Sequence, residues 1–132
     1  MYVSKDAGTK IGTTANLRPG DRVRIVDLLY GLMLPSGNDA AQALAEGFGD
    51  MICHDMRVKG KLCSLTDPTM NQNDPPQKDR FFILKMNRFV QKLKLRNTHY
   101  DNPHGLMNKH NYSCAEDVCV VMNYGMKHYP LF

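Results

Sequence analysis

Between Asp39 and Glu46 the chain sets Ala40, Ala41, Ala43 and Ala45 around Leu44, with no proline and no β-branched residue. Alanine is the best helix former, and side chains this small let a neighbouring backbone come close. The run is therefore expected to be a helix at the centre of whatever packs around it. Pro35 stops any preceding helix, because proline lacks the N–H and clashes with the turn before it. Ser36 then reads as an N-cap, with Asp39 three residues on to complete a capping box. Gly47 and Gly49 are expected to end this helix.

The rest of the chain is arranged around that run. Residues Met1 to Ile25 read as short strands and turns: Pro19-Gly20 marks a turn, and Val23 and Ile25 alternate with Arg22 and Arg24. Leu28, Leu29, Leu32 and Met33 stand at helical spacing and predict a helix over Val26 to Leu34. Asp50 to Gln77 holds Gly60, Pro68, Pro75 and Pro76, and reads as a long loop with a short helical start at Asp50 to Met56. A third helix is expected from Asp79 to Leu95, with Phe82, Met86, Phe89, Val90 and Leu93 on one face. A polar loop follows. A fourth helix is then expected, with Ser113 as N-cap, Glu116 completing its box, and Val118, Val121, Met122 and Met126 as the buried stripe. Pro130 would end it.

Composition narrows the function classes. The 132 residues, 42% hydrophobic and 23% charged, suit one soluble globular domain. No apolar run approaches the ~20 residues of a membrane span. The opening Met1-Tyr2-Val3-Ser4-Lys5-Asp6-Ala7-Gly8 has no apolar signal region. The expectation is an intracellular protein, or one with a further segment upstream. A net charge of +4 is too small for a dedicated nucleic-acid binder. The basic excess gathers between Lys78 and Arg96; a solvated helix face is the simplest reading, and an acidic partner surface touching Lys78, Arg80, Lys85, Arg88 and Lys92 is the alternative. Cys53, Cys63, Cys114 and Cys119 form no C-x-x-C pair, so reduced thiols are expected. The five histidines lack metalloprotease spacing, so neither a metal nor a cofactor is expected.

The order of several pieces is recognisable: Val3-Ser4-Lys5-Asp6-Ala7, Gly12-Thr13, Leu17-Arg18-Pro19-Gly20-Asp21, and Asp27-Leu28-Leu29-Tyr30-Gly31-Leu32. The sharpest is Ser36-Gly37-Asn38-Asp39-Ala40-Ala41 with Leu44-Ala45-Glu46. After it come Met86-Asn87, Thr98, Asn102-Pro103-His104-Gly105-Leu106, Ala115-Glu116-Asp117 and His128-Tyr129-Pro130-Leu131. Taken together these resemble the central segment of the serine D-alanyl-D-alanine carboxypeptidases, the low-molecular-mass penicillin-binding proteins. The resemblance implies a mainly α structure: the helical part of a β-lactamase/transpeptidase-like fold, with short N-terminal strands and most of the sheet missing. It implies one partial domain over 1–132, with 51–77 as an insertion.

That family works with three motifs. A Ser-x-x-Lys supplies the acylated serine and its activating lysine, a Ser-x-Asn supplies a second hydroxyl and an amide for the substrate, and a Lys-Thr-Gly strand binds the substrate carboxylate. By resemblance Ser36 and Asn38 match the second motif. The residues three beyond Ser4, Ser36, Ser64 and Ser113 are Ala7, Asp39, Asp67 and Glu116, and no Lys-Thr-Gly or Lys-Ser-Gly occurs. The nucleophile is therefore absent from this sequence. Lys5 or Lys10 would have to approach Ser36 for it to serve instead, and helix capping explains Ser36 without catalysis. His104 reads as a structural part of its turn, not as a general base.

A serine is a poor nucleophile without a base in hydrogen-bond reach, and losing both removes on the order of 10⁶-fold of rate. The chain alone is expected to be inactive. Two functions follow. The first is a non-catalytic carboxypeptidase-like remnant serving as a structural or interaction subunit with protein partners. The alternative is a fragment of an active serine-type D-Ala-D-Ala carboxypeptidase or β-lactamase-like hydrolase, completed by other segments.

Overall fold

The computed structural model describes residues 1–58 and 78–129. Five helices are present among them: α1 (Lys5–Gly8), α2 (Ile25–Met33), α3 (Asn38–Val58), α4 (Lys78–Lys92) and α5 (Ala115–His128). The chain divides into two compact units, Met1–Phe82 and Ile83–Phe132.

In the first unit the expected N-terminal strands are reduced to a single antiparallel bridge, Tyr2 to Arg22. The pairing around it is real: Val3 N–H donates to Asp21 O at 2.9 Å, and Val23 N–H to Met1 O at 2.9 Å. It cannot extend, because helices take over on both sides. Ser4 Oγ accepts the Ala7 N–H at 3.0 Å and caps α1. Arg24, still extended, is the N-cap of α2, so Ile25 is helical and not the end of a strand. Arg24 also donates twice to Asp27, at 2.7 and 2.8 Å. That hydrogen bond holds the Asp27 carboxyl below the usual range, against a smaller opposing effect of burial and with a still smaller attraction between the two charges. On a surface this open such a pair contributes little stability.

The core of this unit is Val3, Ala7, Leu28, Ala40, Ala43 and Leu44, with Met1, Leu17, Val23, Leu32 and Phe48 packed against it. The alanine run is central, as its small side chains imply. Leu28 is 1% exposed, and burying such a side chain stabilises by roughly 1.5–3 kcal/mol.

Two local expectations fail here. Helix α3 does not stop at Gly47 or Gly49 but runs 21 residues, to Val58. A Cβ on Gly49 would collide with the backbone carbonyl of Lys78, so this glycine serves close approach and not termination. Glycine inside a helix costs about 1 kcal/mol relative to alanine. Asp50 to Met56, expected to be helical, is helical, as the continuation of α3. The expected insertion otherwise falls on residues 59–77, which lie outside the described residues. Finally, α3 begins at Asn38, and the first intrahelical bond, from Ala41 N–H, is accepted by Gly37 O at 3.1 Å. Gly37 is thus the N-cap, not Ser36.

In the second unit α4 ends at Lys92, three residues before Leu95. Lys94 has φ of 58°, Leu95 N–H donates to Val90 O at 3.1 Å, and Lys94 N–H to Gln91 O at 2.9 Å. This pair of bonds is a Schellman closure. Val90 is buried, with Met86, Phe89 and Leu93 half-buried, so the predicted face holds. Phe89 meets Tyr124 of α5 edge-on at 5.0 Å.

Helix α5 departs from expectation twice. Its N-cap is Cys114, with no side-chain cap bond. Ser113 Oγ is instead 2.9 Å from Thr98 Oγ1. The stripe predicted to be buried is largely exposed: Val118 and Met122 are 45% and Met126 63% accessible. The buried residues of α5 are Asp117 and Gly125. Pro130 lies outside the described residues. No described helix is long and apolar enough to cross a membrane.

Candidate functional site

Ser36, Gly37 and Asn38 join α2 to α3, and a run of extended chain from Ile11 to Leu17 is tied to them. Asn38 N–H donates to Thr13 O at 2.8 Å, and Asn38 Nδ2 donates to Ile11 O at 2.8 Å. Asp39, 1% exposed, accepts from three backbone N–H groups. Its Oδ1 takes Ala15 and Ala40, both at 2.8 Å, and its Oδ2 takes Leu17 at 2.9 Å. The side chain expected to turn back on the Ser36 N–H instead clamps a segment distant in sequence. The reason is the tally of donors: a buried backbone N–H must find a partner, and Ala15 and Leu17 have no ladder to join.

Gly37 is buried in this knot. A Cβ there would lie 2.6 Å from Gly31 O and 2.8 Å from Asp39 Oδ1. Ser36 is exposed and left-handed, with φ of 57°. A non-glycine residue in that conformation costs about 1 kcal/mol or more. Its hydroxyl makes no hydrogen bond among the described residues. Ser36 is therefore held out by its neighbours, in a strained conformation, with its Oγ unused.

The lysines considered as bases lie elsewhere. Lys10 Nζ pairs with Asp6 at 3.0 Å. Lys5 and Lys10 both line a polar cavity of about 600 Å³ with Ser4, Asp6, Gln42, Glu46, Lys78 and Asp79. Neither Ser36 nor Asn38 borders it. At its wall the buried Gln42 directs Nε2 at Asp6 Oδ2 (3.0 Å), Glu46 Oε1 (3.1 Å) and Asp79 Oδ2 (3.0 Å). Sequence reading missed this junction, because its members lie far apart along the chain and match no spacing rule.

The other singled-out residues are structural in geometry. His104 Nδ1 accepts the Leu106 N–H at 3.3 Å, and Asn102 Oδ1 accepts the Gly105 N–H at 2.7 Å, closing the turn. Lys85, Arg88 and Lys92 are exposed on α4, while Lys78 pairs with Asp50 at 3.4 Å. The described cysteines, Cys53, Cys114 and Cys119, are free thiols.

The D-alanyl-D-alanine carboxypeptidase family matches residues 76–131. A D-alanyl-D-alanine carboxypeptidase of Streptomyces sp. strain K15 is 38% identical over 113 residues, which is 86% of this chain but 32% of the relative. Among solved structures, a variant of the Streptomyces K15 DD-transpeptidase superposes with a TM-score of 0.72 at 31% identity, over 98% of this chain and 43% of that one. The carboxypeptidase DacD of Francisella tularensis, with a TM-score of 0.74 at 24% identity, shares the fold over 98% of this chain and 25% of its own. The chain thus spans about a third of its curated Streptomyces relative. In sequence and in fold it is a D-alanyl-D-alanine carboxypeptidase-like domain of the penicillin-binding-protein type, corresponding to part of its full-length relatives.

Proposed function

We propose that this chain is the segment of a serine-type D-alanyl-D-alanine carboxypeptidase-like hydrolase that carries the second hydroxyl and the amide, Ser36 and Asn38. Other segments would supply the acylated serine, its lysine and the carboxylate-binding strand. The observation that carries the reading is Ser36 itself: exposed, left-handed at φ 57°, and with no hydrogen bond to its hydroxyl among the described residues. A helix cap would have spent that hydroxyl on a backbone N–H. A proton relay needs it free until the nucleophile arrives. Partial coverage of the relatives points the same way. In this role Ser36 Oγ would pass a proton between the nucleophile and the leaving amine, and Asn38, half engaged by Ile11 O, would offer its remaining amide capacity to the substrate.

Fluorescent penicillin tests this. The 132-residue chain alone should not be labelled. Combined with segments bearing Ser-x-x-Lys and Lys-Thr-Gly, labelling should appear on the Ser-x-x-Lys serine. Ser36→Ala should then slow it by about 10²–10⁴-fold, the usual range for a lost proton-transfer group. Labelling of Ser36 in the isolated chain would overturn the reading. No labelling in any combination would favour the non-catalytic structural subunit.

A further inference from the structure

The polar cavity of the first unit lies apart from Ser36 and Asn38, neither of which borders it. Its volume of about 600 Å³ is that of a small-ligand site. Its charged lining is evenly divided in sign: Lys5, Lys10 and Lys78 against Asp6, Glu46 and Asp79.

These charges do not neutralise one another in pairs. Lys10 Nζ is held by Asp6 at 3.0 Å, and Lys78 Nζ by Asp50, outside the cavity, at 3.4 Å. Among the described residues the Lys5 ammonium has no acidic partner, and neither Glu46 nor Asp79 has a basic one. Glu46 and Asp79 are half-buried. Drawing a carboxylate away from water costs free energy unless a cation or a donor replaces the water.

The replacement they have is Gln42, and it falls short. The side chain of Gln42 is buried, at 2% exposure. Its Nε2 lies 3.0 Å from Asp6 Oδ2, 3.1 Å from Glu46 Oε1 and 3.0 Å from Asp79 Oδ2. An amide nitrogen carries two hydrogens. Carboxylates from α1, α3 and α4 thus converge on two donors, and one is always left without. Asp6 has Lys10 as well, so the shortfall falls on Glu46 and Asp79. A ligand ammonium brings three N–H donors and a positive charge, which are the two things this wall lacks. The described residues hold no group suited to a metal ion, so an organic cation fits the wall better than a metal. Lys5, exposed at the same cavity, supplies the charge for an anionic group.

We propose that this cavity binds a small zwitterion with a free ammonium and a free carboxylate, the chemistry shared by amino acids and short peptides. The ammonium sits by Glu46 and Asp79 beside Gln42, and Lys5 holds the carboxylate. The site uses neither Ser36 nor Asn38, so it stands independently of the hydrolase reading.

The test is an NMR titration of the 132-residue chain with glycine and with diglycine. Two capped compounds serve as controls: N-acetyl-diglycine, which lacks the ammonium, and diglycinamide, which lacks the carboxylate. Glycine or diglycine should shift the Gln42 side-chain amide signals and the backbone signals of Lys5, Asp6 and Glu46, saturating in the millimolar range. Tighter binding of glycine assigns the site to amino acids, and tighter binding of diglycine to peptides. Both capped compounds should bind at least about fivefold more weakly than diglycine, the effect of losing one partly exposed ion pair. Glu46→Gln should weaken diglycine and diglycinamide by about fivefold and leave N-acetyl-diglycine unchanged. Lys5→Gln should weaken diglycine and N-acetyl-diglycine and leave diglycinamide unchanged. A merely structural change would not sort the compounds by charge in this way. No saturable shift by about 100 mM of either zwitterion, where even a site with a Kd of about 10 mM is nearly full, would overturn the proposal. So would shifts confined to residues outside the cavity, or a capped compound binding as tightly as diglycine.

Discussion

Asp39 stands twenty-four residues from Ala15 in the chain, yet its Oδ1 accepts the Ala15 N–H at 2.8 Å. With Leu17 N–H on Oδ2, one buried carboxylate holds the extended segment against the start of α3. That is the segment whose Ile11 and Thr13 carbonyls receive the Asn38 donors.

Asp39→Ala should therefore be among the most damaging single changes. It leaves the Ala15 and Leu17 N–H groups without their acceptor, and each buried orphan costs about 1–3 kcal/mol. A loss of roughly 3 kcal/mol or more in urea unfolding is expected. A loss below about 1 kcal/mol would show that water or a relaxed loop replaces the carboxylate.

Gly37→Ala tests the same knot by sterics. The added methyl meets Gly31 O and Asp39 Oδ1 inside 3 Å, and both are fixed. Destabilisation of about 1–3 kcal/mol, the range for overpacking, should show as a lower thermal midpoint. Gly20→Ala is the comparison: nothing lies within 4 Å of its Cβ, so any cost there comes from its positive φ alone.

In the second unit Asn87 and Tyr100 exchange two bonds. Nδ2 donates to Tyr100 O at 2.7 Å, and Oδ1 accepts the Tyr100 N–H at 2.9 Å. Asn87→Asp keeps the acceptor and loses the donor; Asn87→Ala loses both. Asn87→Ala should cost about 1–3 kcal/mol, and Asn87→Asp less. Equal losses in denaturant melts would mean that the donated bond, not the accepted one, carries the contribution.

The Tyr100 phenol is raised above its ordinary value, first by burial and then by the negative charge of Asp117. A raised folded value means that its contribution to stability is complete below the ordinary tyrosine pKa of about 10. That contribution is lost as pH rises through the folded value. Tyr100→Phe should therefore lose less stability than the parent above about pH 10. In ultraviolet difference titration Tyr100 should ionise above the ordinary tyrosine value. A parallel alkaline decline in the variant and the parent would refute this.

Much of the architecture was legible in local pattern. Leu28 and Leu32 predict the inward face of α2, and Phe89 and Val90 that of α4, because helical periodicity survives any tertiary context that buries one side. The alanines of α3 predict its central place, because only small side chains tolerate close packing from several directions. Met122 and Met126 show where pattern fails: an apolar stripe states what could be buried, not that a partner covers it within this chain.

Residue type along the chain determined that α2 to α5 form, that the alanine run is central, and that Ser36 and Asn38 come without a Ser-x-x-Lys or a Lys-Thr-Gly. Tertiary structure alone decided which side chains cap which helix ends. Ser113 turns to Thr98 instead of α5, Asp39 to Ala15 and Leu17 instead of Ser36, and Ser36 is left exposed with no hydrogen bond to its hydroxyl among the described residues. The reason is that a polar side chain answers the nearest unpaired buried donor or acceptor. Those groups are brought near by parts of the chain that no local spacing rule can see.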